Sequence, residues 1–264
     1  MSRKPTFFII VPSFNQGQFI KQTLDSILMQ KGVKVHCLVK DGGSTDETVS
    51  ILKKYKKSLT FTSKKDKGQT DALNQGLKEV FALSKHPQLD VVAYLNSDDY
   101  YLPQAFNNVV AAFGNTPSKM WVVGDSTIVN AKRQEIHQLI RVYKKFWRLL
   151  LSWPALMILN PIPQPSTFMK VAVAKKVGFF NQKLHLAMDY DYWLRVWKQY
   201  GRPLVLNQAL AAFRVHGQSK GSKRFAKQFK EQLTVAKTHD LNLVWLLIQQ
   251  FHNNLIVFSY QLLK

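Results

Sequence analysis

The sequence predicts an α/β fold: a largely parallel sheet flanked by helices, with a helical extension at the C-terminal end. Three observations predict it. In the first half, short apolar runs alternate with helical patterns, the signature of βα units whose strands lie parallel. Each run is followed by polar or glycine-rich residues, as expected where the carboxyl ends of strands open into a ligand crevice. The 264 residues are 46% hydrophobic and 20% charged, which allows a sizeable core and excludes disordered, collagen-like and disulfide-scaffold classes.

The first predicted strand is Phe7 to Val11. Arg3 and Lys4 precede this five-residue apolar run, but Pro12 ends it with no small-residue cleavage site, so it reads as a strand and not a signal peptide. A helix comes next over Ile20 to Gln30, with Ile20, Leu24, Ile27 and Leu28 on one face. Strands at Val33 to Lys40, Leu59 to Thr62 and Val91 to Asn96 alternate with helices at Thr48 to Lys57, Asp71 to Leu83 and Gln104 to Phe113. After residue 130 the alternation degrades. Arg141 to Leu159 joins basic and aromatic residues to an apolar run, and the chain is punctuated there by Pro154, Pro161, Pro163 and Pro165. Helices are expected again at Val171 to Val177 and Tyr190 to Tyr200, short strands near Leu204 and over Leu210 to Val215, then two closing helices. With no internal repeat or low-complexity linker, one continuous domain with C-terminal elaborations is expected.

Charge narrows the choice of partner. There are 37 Lys and Arg against 16 Asp and Glu, a net of +21. Residues 1–130 carry +5 of this and residues 131–264 carry +16. Such a surplus predicts an anionic partner: nucleic acid, a nucleotide or an acidic membrane surface. Cys37 is the single cysteine, so no internal disulfide, cysteine-based zinc site or iron–sulfur cluster can be built, and a reducing compartment is expected.

Chemistry concentrates where strands end. Asn96-Ser97-Asp98-Asp99 places adjacent carboxylates just past a buried apolar strand, where unpaired charge would be costly in a core. Oxygen ligands of this kind suit Mg²⁺ or Mn²⁺ held together with substrate phosphates, although a solvated turn capping the next helix would look the same. Asp41-Gly42-Gly43-Ser44-Thr45-Asp46 is a glycine turn into a helix, with Ser44, Thr45 or Asp46 available as the cap; neither requires Asp41. Gly68 to Gly76 opens a helix whose free N–H groups could face phosphate or ribose, or could simply be capped by Thr70 or Asp71. The absence of GxGxxG and GxxxxGK[ST] patterns argues against dinucleotide redox enzymes and P-loop NTPases.

The combination and order of these segments resembles family 2 glycosyltransferases. Val11-Pro12-Ser13-Phe14-Asn15, Val39 to Asp46, Gly68 with Asp71, Ala72 and Asn74, and Asn96 to Asp99 match the nucleotide-sugar-binding half. Gln164 to Phe168, Gly178-Phe179-Phe180, Met188 to Arg195 and Phe213-Arg214-Val215-His216 match the acceptor half. The resemblance implies a GT-A fold, a Rossmann-like mixed sheet flanked by helices, over residues 1–220: a nucleotide-sugar half at 1–130 and an acceptor half at 131–220, with C-terminal helices at 221–264. It implies an inverting, metal-dependent transfer of a sugar from a nucleotide diphosphate donor, UDP-linked by expectation, to a glycan or lipid-linked acceptor. Carried over residue by residue, Ser13, Phe14 and Asp41 contact the base, with Pro12 and Asn15 in the same loop, and Gly68 and Asn74 line the nucleotide pocket. Asn96, Ser97 and Asp98 form a D-x-D-like motif in which Asp98 holds Mn²⁺ or Mg²⁺. His216 is a second candidate ligand. Asp189 becomes the general base, Asp191 its rival, and Gln164, Asp191 and Arg214 belong to the acceptor or diphosphate region; on charge grounds Arg214 and Lys220 are also candidate diphosphate partners. Two positions depart from the pattern: Asn96 and Met188 stand where acidic residues are usual, so weaker metal binding, or a catalytically reduced partner subunit, is a competing expectation.

The basic half suggests a location. Arg141, Lys144, Lys145 and Arg148 fall at helical spacing beside Tyr143, Phe146 and Trp147, which fits a membrane-surface helix or a basic helix packed on the domain. Leu241 to Leu263 contains no charged residue, yet Gln249, Asn253 and their polar neighbours would be costly in hydrocarbon, so a packed, dimerising or interfacial helix is expected there. A cytoplasmic protein, peripheral at the inner face of the cell membrane, fits both segments. A nucleic-acid-binding α/β protein is the weaker alternative, because no RNP-like or helix-turn-helix pattern accompanies the charge.

Overall fold

Alternation along the first strand decides how the chain builds its two cores. In the computed structural model, which describes residues 3–217, 225–239 and 242–262, β1 spans Thr6–Ser13. Phe7, Ile9 and Val11 point to one side of the sheet, where Ile20, Leu24 and Ile27 of α1 (Gly17–Leu28), Leu52 of α2 (Thr48–Lys54) and Phe106 and Val109 of α4 (Ala105–Asn115) cover them. Phe8 and Ile10 point to the other side, against Leu73, Leu77 and Val80 of α3 (Gln69–Leu83), with α7 (Val171–Val177) and α8 (Met188–Tyr200) extending the layer. α3 lies so close to β1 that a Cβ at Gly76 would sit 2.4 Å from Ile10 Cγ2, so glycine is required there.

The remaining strands are β2 (Lys34–Asp41), β3 (Thr60–Ser63), β4 (Val91–Tyr94), β5 (Tyr100–Tyr101), β6 (Trp121–Val129), β7 (Thr167–Lys170) and β8 (Leu204–Arg214). They form one sheet in the order β3-β2-β1-β4-β7-β6-β8-β5. β1 to β4 pair in parallel, β7 runs antiparallel to both its neighbours, and β5 runs antiparallel to β8. This mixed sheet with helices on both faces is the GT-A fold expected above. The first four strands and their helices lie close to their predicted positions, and the two strands expected near Leu204 and Leu210 are one continuous strand. β5, β6 and β7 were not expected. β5 has two residues, β7 has four and comes after a proline-rich stretch, and β6 carries Gly124 and a buried Asp125 that read as loop.

Asp125 also explains why the basic stripe is not one solvent face. α5 spans Gln138–Leu149 and turns Arg141 and Arg148 inward: Arg141 Nε lies 3.0 Å from Asp125 Oδ2, and Arg148 Nη2 lies 2.5 Å from Asp125 Oδ1. Arg148 and Asp125 each keep only 2% of their side-chain surface, so neither charge is solvated without the other. Asp125→Ala is therefore expected to cost about 3–5 kcal/mol of stability by leaving a guanidinium buried and unpaired. An unchanged midpoint in a denaturant titration would refute this.

The C-terminal helices are α9 (Phe225–Thr238) and α10 (Leu243–Leu262), and both join the body of the fold. Val235 and Ala236 of α9 are buried in the core beside α8. Gln249 of α10 is buried and donates from Nε2 to the Met157 carbonyl of α6 (Trp153–Leu159) at 2.8 Å. Among the described residues no helix is long and apolar enough to cross a membrane. The basic residues from Lys220 to Arg224 lie outside the described residues.

Candidate active site

Parallel register brings the informative loops to one edge. Ser13 pairs with Asp41 at the ends of β1 and β2, Asp41 pairs with Ser63 of β3, and Leu95 donates to the Ile10 carbonyl at 3.0 Å, so the Asn96 to Asp99 turn opens beside them.

Asp41 organises the first part of this edge. Its Oδ2 accepts from Ser44 N at 2.9 Å, Gly43 N at 3.2 Å and Ser63 Oγ at 2.6 Å, while Oδ1 accepts from Ser44 Oγ at 2.5 Å. One acceptor position therefore remains on Oδ1. Asn15, in the left-handed region at φ 50°, joins the two loops: its N–H donates to Ser44 Oγ at 2.7 Å and its Oδ1 accepts from Thr45 N at 2.9 Å. Asp46 accepts from Gly17 N at 2.9 Å and from Thr48 N at 3.0 Å, so it binds the starts of both α1 and α2. Burial pushes its carboxyl up, but hydrogen bonds from Thr48 and Gly17 outweigh burial and hold it below the ordinary value. In the resulting rim Pro12 is buried, Phe14 stands 60% exposed, and the buried Ser13 hydroxyl has no hydrogen-bond partner among the described residues.

The second part is built around Asn96. Its Oδ1 accepts from Gln69 Nε2 at 2.7 Å, and its Nδ2 faces Gln164 Oε1 at 3.2 Å and Asp99 Oδ2 at 3.3 Å. Gln164 in turn donates to the Tyr94 carbonyl at 2.7 Å. A carboxylate at position 96 could not donate to Asp99, which explains the amide where the family pattern has an acid. Asp99 is buried; burial first, and then the neighbouring Asp98, push its carboxyl well above the ordinary range, although its Oδ1 accepts from Arg214 N at 2.8 Å. Ser97 is buried and anchors the turn through its carbonyl, which accepts from Thr23 Oγ1 at 2.9 Å.

Asp98 points the other way, and His216 Nε2 lies 3.0 Å from its Oδ2, a contact between residues 118 positions apart. The His216 ring rests 4.6 Å from the Phe19 ring. Arg214 is buried with its guanidinium over Phe19 at 4.6 Å and Tyr100 at 5.4 Å, and Nη2 donates to Gln22 at 2.6 Å. Its charge is near enough to the turn to interact with both Asp99 and Asp98.

The two carboxylates of α8 face different partners. Asp191 is buried, with Arg195 Nε 2.9 Å from its Oδ2 and His239 Nε2 of α9 3.1 Å from its Oδ1. Asp189 is half-buried and accepts the Tyr190 N–H at 2.8 Å. Burial raises its carboxyl above the ordinary value; the Tyr190 N–H and the Lys144 charge offset this in part, and Glu231 adds to it. Asp189 is close enough to Tyr94, the last residue of β4, that its charge joins burial in pushing the Tyr94 phenol well above its ordinary value. Met188 is buried and its Sδ lies 2.8 Å from Thr70 Oγ1, so an acid there would be buried as well. A residue that sequence reasoning missed sets this geometry. Glu231 of α9 accepts the N–H groups of His185, Leu186 and Ala187 at 3.0, 2.5 and 2.6 Å, holding the approach to the helix that carries Asp189.

Gly68, at φ 101°, caps α3 and precedes Gln69. Asn74 is not brought to the Asp98 turn. Its amide pairs with the backbone of Phe180, donating at 2.9 Å and accepting at 2.8 Å, and it lines a separate opening with Asp71, Lys78 and Gln182.

The fold is of GT-A type, with the loops that carry Ser13, Asp41 and Asp98 at the carboxyl ends of β1, β2 and β4. The pattern of the family described as Glycosyl transferase family 2 matches residues 8–175, and the chain belongs to that family. An uncharacterized glycosyltransferase of Rickettsia typhi is 22% identical over 193 residues, covering 72% of this chain and 58% of that protein. This chain therefore spans about three-fifths of that relative's length. Staphylococcus aureus TarS 1-349 in complex with UDP-GlcNAc superposes with a TM-score of 0.68 at 18% identity, covering 91% of this chain and 69% of that one. The mannosyltransferase PcManGT of Pyrobaculum calidifontis, in complex with GDP-Man and Mn²⁺, superposes with a TM-score of 0.71 at 17% identity, covering 96% and 70%. At these identities the two structures speak to the fold.

Proposed function

We propose that this chain transfers a sugar, with inversion, from a UDP-linked donor to a hydroxyl of a glycan or lipid-linked acceptor. The observation that carries the reading is the Asp98–His216 pair, 3.0 Å apart at the strand ends, beside a rim whose Ser13 hydroxyl is buried without a partner among the described residues. Phe14 would offer its ring face to the base, and Ser13 and the remaining acceptor position of Asp41 would take its polar edge.

A divalent cation fits the donor set. Asp98 and His216 would hold Mn²⁺ or Mg²⁺ with diphosphate oxygens filling the other positions, as suits a cation that takes few protein ligands. Among the described residues no group of three or more His, Cys, Asp or Glu comes together, so the substrate would complete the shell. When bound, such an ion neutralises charge on the departing diphosphate. The chain's own residues do the rest. Asp189 takes the acceptor hydroxyl's proton as its oxygen attacks the anomeric carbon, and the bond to the diphosphate oxygen breaks on the opposite face. The raised carboxyl of Asp189 improves the driving force for that transfer while leaving the group ionisable. UDP in TarS and GDP-Man in PcManGT support a nucleotide-sugar pocket.

The test is a thermal-shift and turnover series over UDP- and GDP-sugars with and without Mn²⁺. At a hundredfold excess over Kd a UDP-sugar should raise the melting temperature by about 5 °C or more. The reading fails if no sugar nucleotide shifts the melting curve.

A further inference from the structure

We infer that α5 and α10 form one face that docks onto the interface of an anionic bilayer. Polarity is inverted on both helices. On α10, Gln249 and Asn253 are 1% and 3% exposed, while Val244, Leu247 and Phe251 are 63%, 58% and 72% exposed. On α5, Arg148 is buried, while Leu139, Val142 and Phe146 are 85%, 63% and 54% exposed. Each apolar trio recurs at i, i+3 and i+7, so each helix turns a single stripe outward. Tyr143 Oη and His252 Nε2, 2.8 Å apart with rings stacked at 6.2 Å, hold the two helices side by side, and the stripes belong to one surface. A monomer rarely leaves so much contiguous apolar surface to water.

Charge selects the occupant. Neither α5 nor α10 carries an Asp or Glu, and with Arg141 and Arg148 taken inward by Asp125 the cations left on α5 are Lys144 and Lys145. Lys144 is exposed and Lys145 half-exposed, and both flank the apolar stripe of α5 rather than interrupt it. A second copy would bring flanking lysines together with no acid on either helix to pair them, whereas an anionic leaflet supplies counter-charge for Lys144 and Lys145 and a place for the apolar and aromatic stripes. With no bilayer-spanning helix among the described residues, the face lies in the interface plane. The Met157 carbonyl accepts from both Gln249 of α10 and the Tyr190 hydroxyl of α8, so the docked face lies directly behind the helix that carries Asp189. That proximity to an acceptor in the membrane rests on the transferase reading; docking does not, and the experiment reads docking alone.

The full chain is sedimented with phosphatidylcholine–phosphatidylglycerol vesicles and with phosphatidylcholine alone, beside the double variant Phe146→Ser/Phe251→Ser. Both side chains are exposed, so an unchanged melting temperature checks that the variant is folded. The expected result is co-sedimentation with the anionic vesicles, at least about tenfold weaker for the variant. Three results would overturn the proposal: a chain that stays in the supernatant, equal binding by the variant, or a concentration-dependent dimer that the variant abolishes and vesicles do not displace.

Discussion

Asp189→Asn should lower the turnover number about a hundredfold to ten-thousandfold while leaving sugar-nucleotide binding unchanged, because it removes a proton acceptor without altering the volume at the start of α8. The pH profile gives a second readout. Transfer needs the ionised carboxylate, and burial holds Asp189 above the ordinary carboxylate value, so the acid limb of kcat/KM should lie above that of an exposed Asp and activity should rise with pH through it. In Asp189→Asn that limb should vanish along with the rate. Asp191→Asn separates the two roles. Asp191 is tied to Arg195 and His239 behind the helix, so its loss should lower the unfolding midpoint and leave the pH profile in place. A full rate for Asp189→Asn, or the loss of the limb in Asp191→Asn, would reverse the assignment.

Asp98→Ala should lower the rate by about a thousandfold, since stabilising a leaving diphosphate is worth several kcal/mol and each 1.4 kcal/mol is tenfold. The same variant should lose the Mn²⁺-dependent part of UDP binding, read by calorimetry with and without the ion, because this carboxylate and His216 are the side chains proposed to face it. His216→Ala should fall in the same direction by less, and added Mn²⁺ should restore part of the loss. An Asp98→Ala protein with an unchanged Mn²⁺ dependence of binding would remove the cation from this turn.

How much of the fold is legible in the sequence depends on how each feature is encoded. The first four strands announce themselves because strand and helix periods alternate over short distances, and the loops at their ends carry glycines and acids with no role in a core. Asp41, Asp98 and Asp189 are singled out by the family resemblance; in the structure Asp98 lies 3.0 Å from His216, and Asp189 lies close enough to Tyr94 for its charge to act on that phenol. β6 was hidden because its central Asp125 looks like loop until Arg148, 23 residues later, arrives to neutralise it. The basic stripe misled for the same reason: helical spacing shows which residues share a face, not whether that face meets water or a buried carboxylate. Glu231 left no signal at all, since accepting three backbone N–H groups needs only one carboxylate at a distance in sequence. Asn96 and Met188 read as losses of acid, and became intelligible only when Asp99, Gln69 and Thr70 appeared beside them.

The 118-residue separation between Asp98 and His216 bears on the order in which the molecule assembles. Strands β1 to β4 form from neighbouring βα units, so the rim around Ser13 and Asp41 can close early and at little entropic cost. Residues 98 and 216 meet only after β8 has come back to pair with β5 and β6, a late, long-range closure. A chain arrested with its first half folded would thus own the Ser13 and Asp41 loops and lack the Asp98–His216 pair. The Asp98–His216 contact thus arrives in one step with the last strand of the sheet.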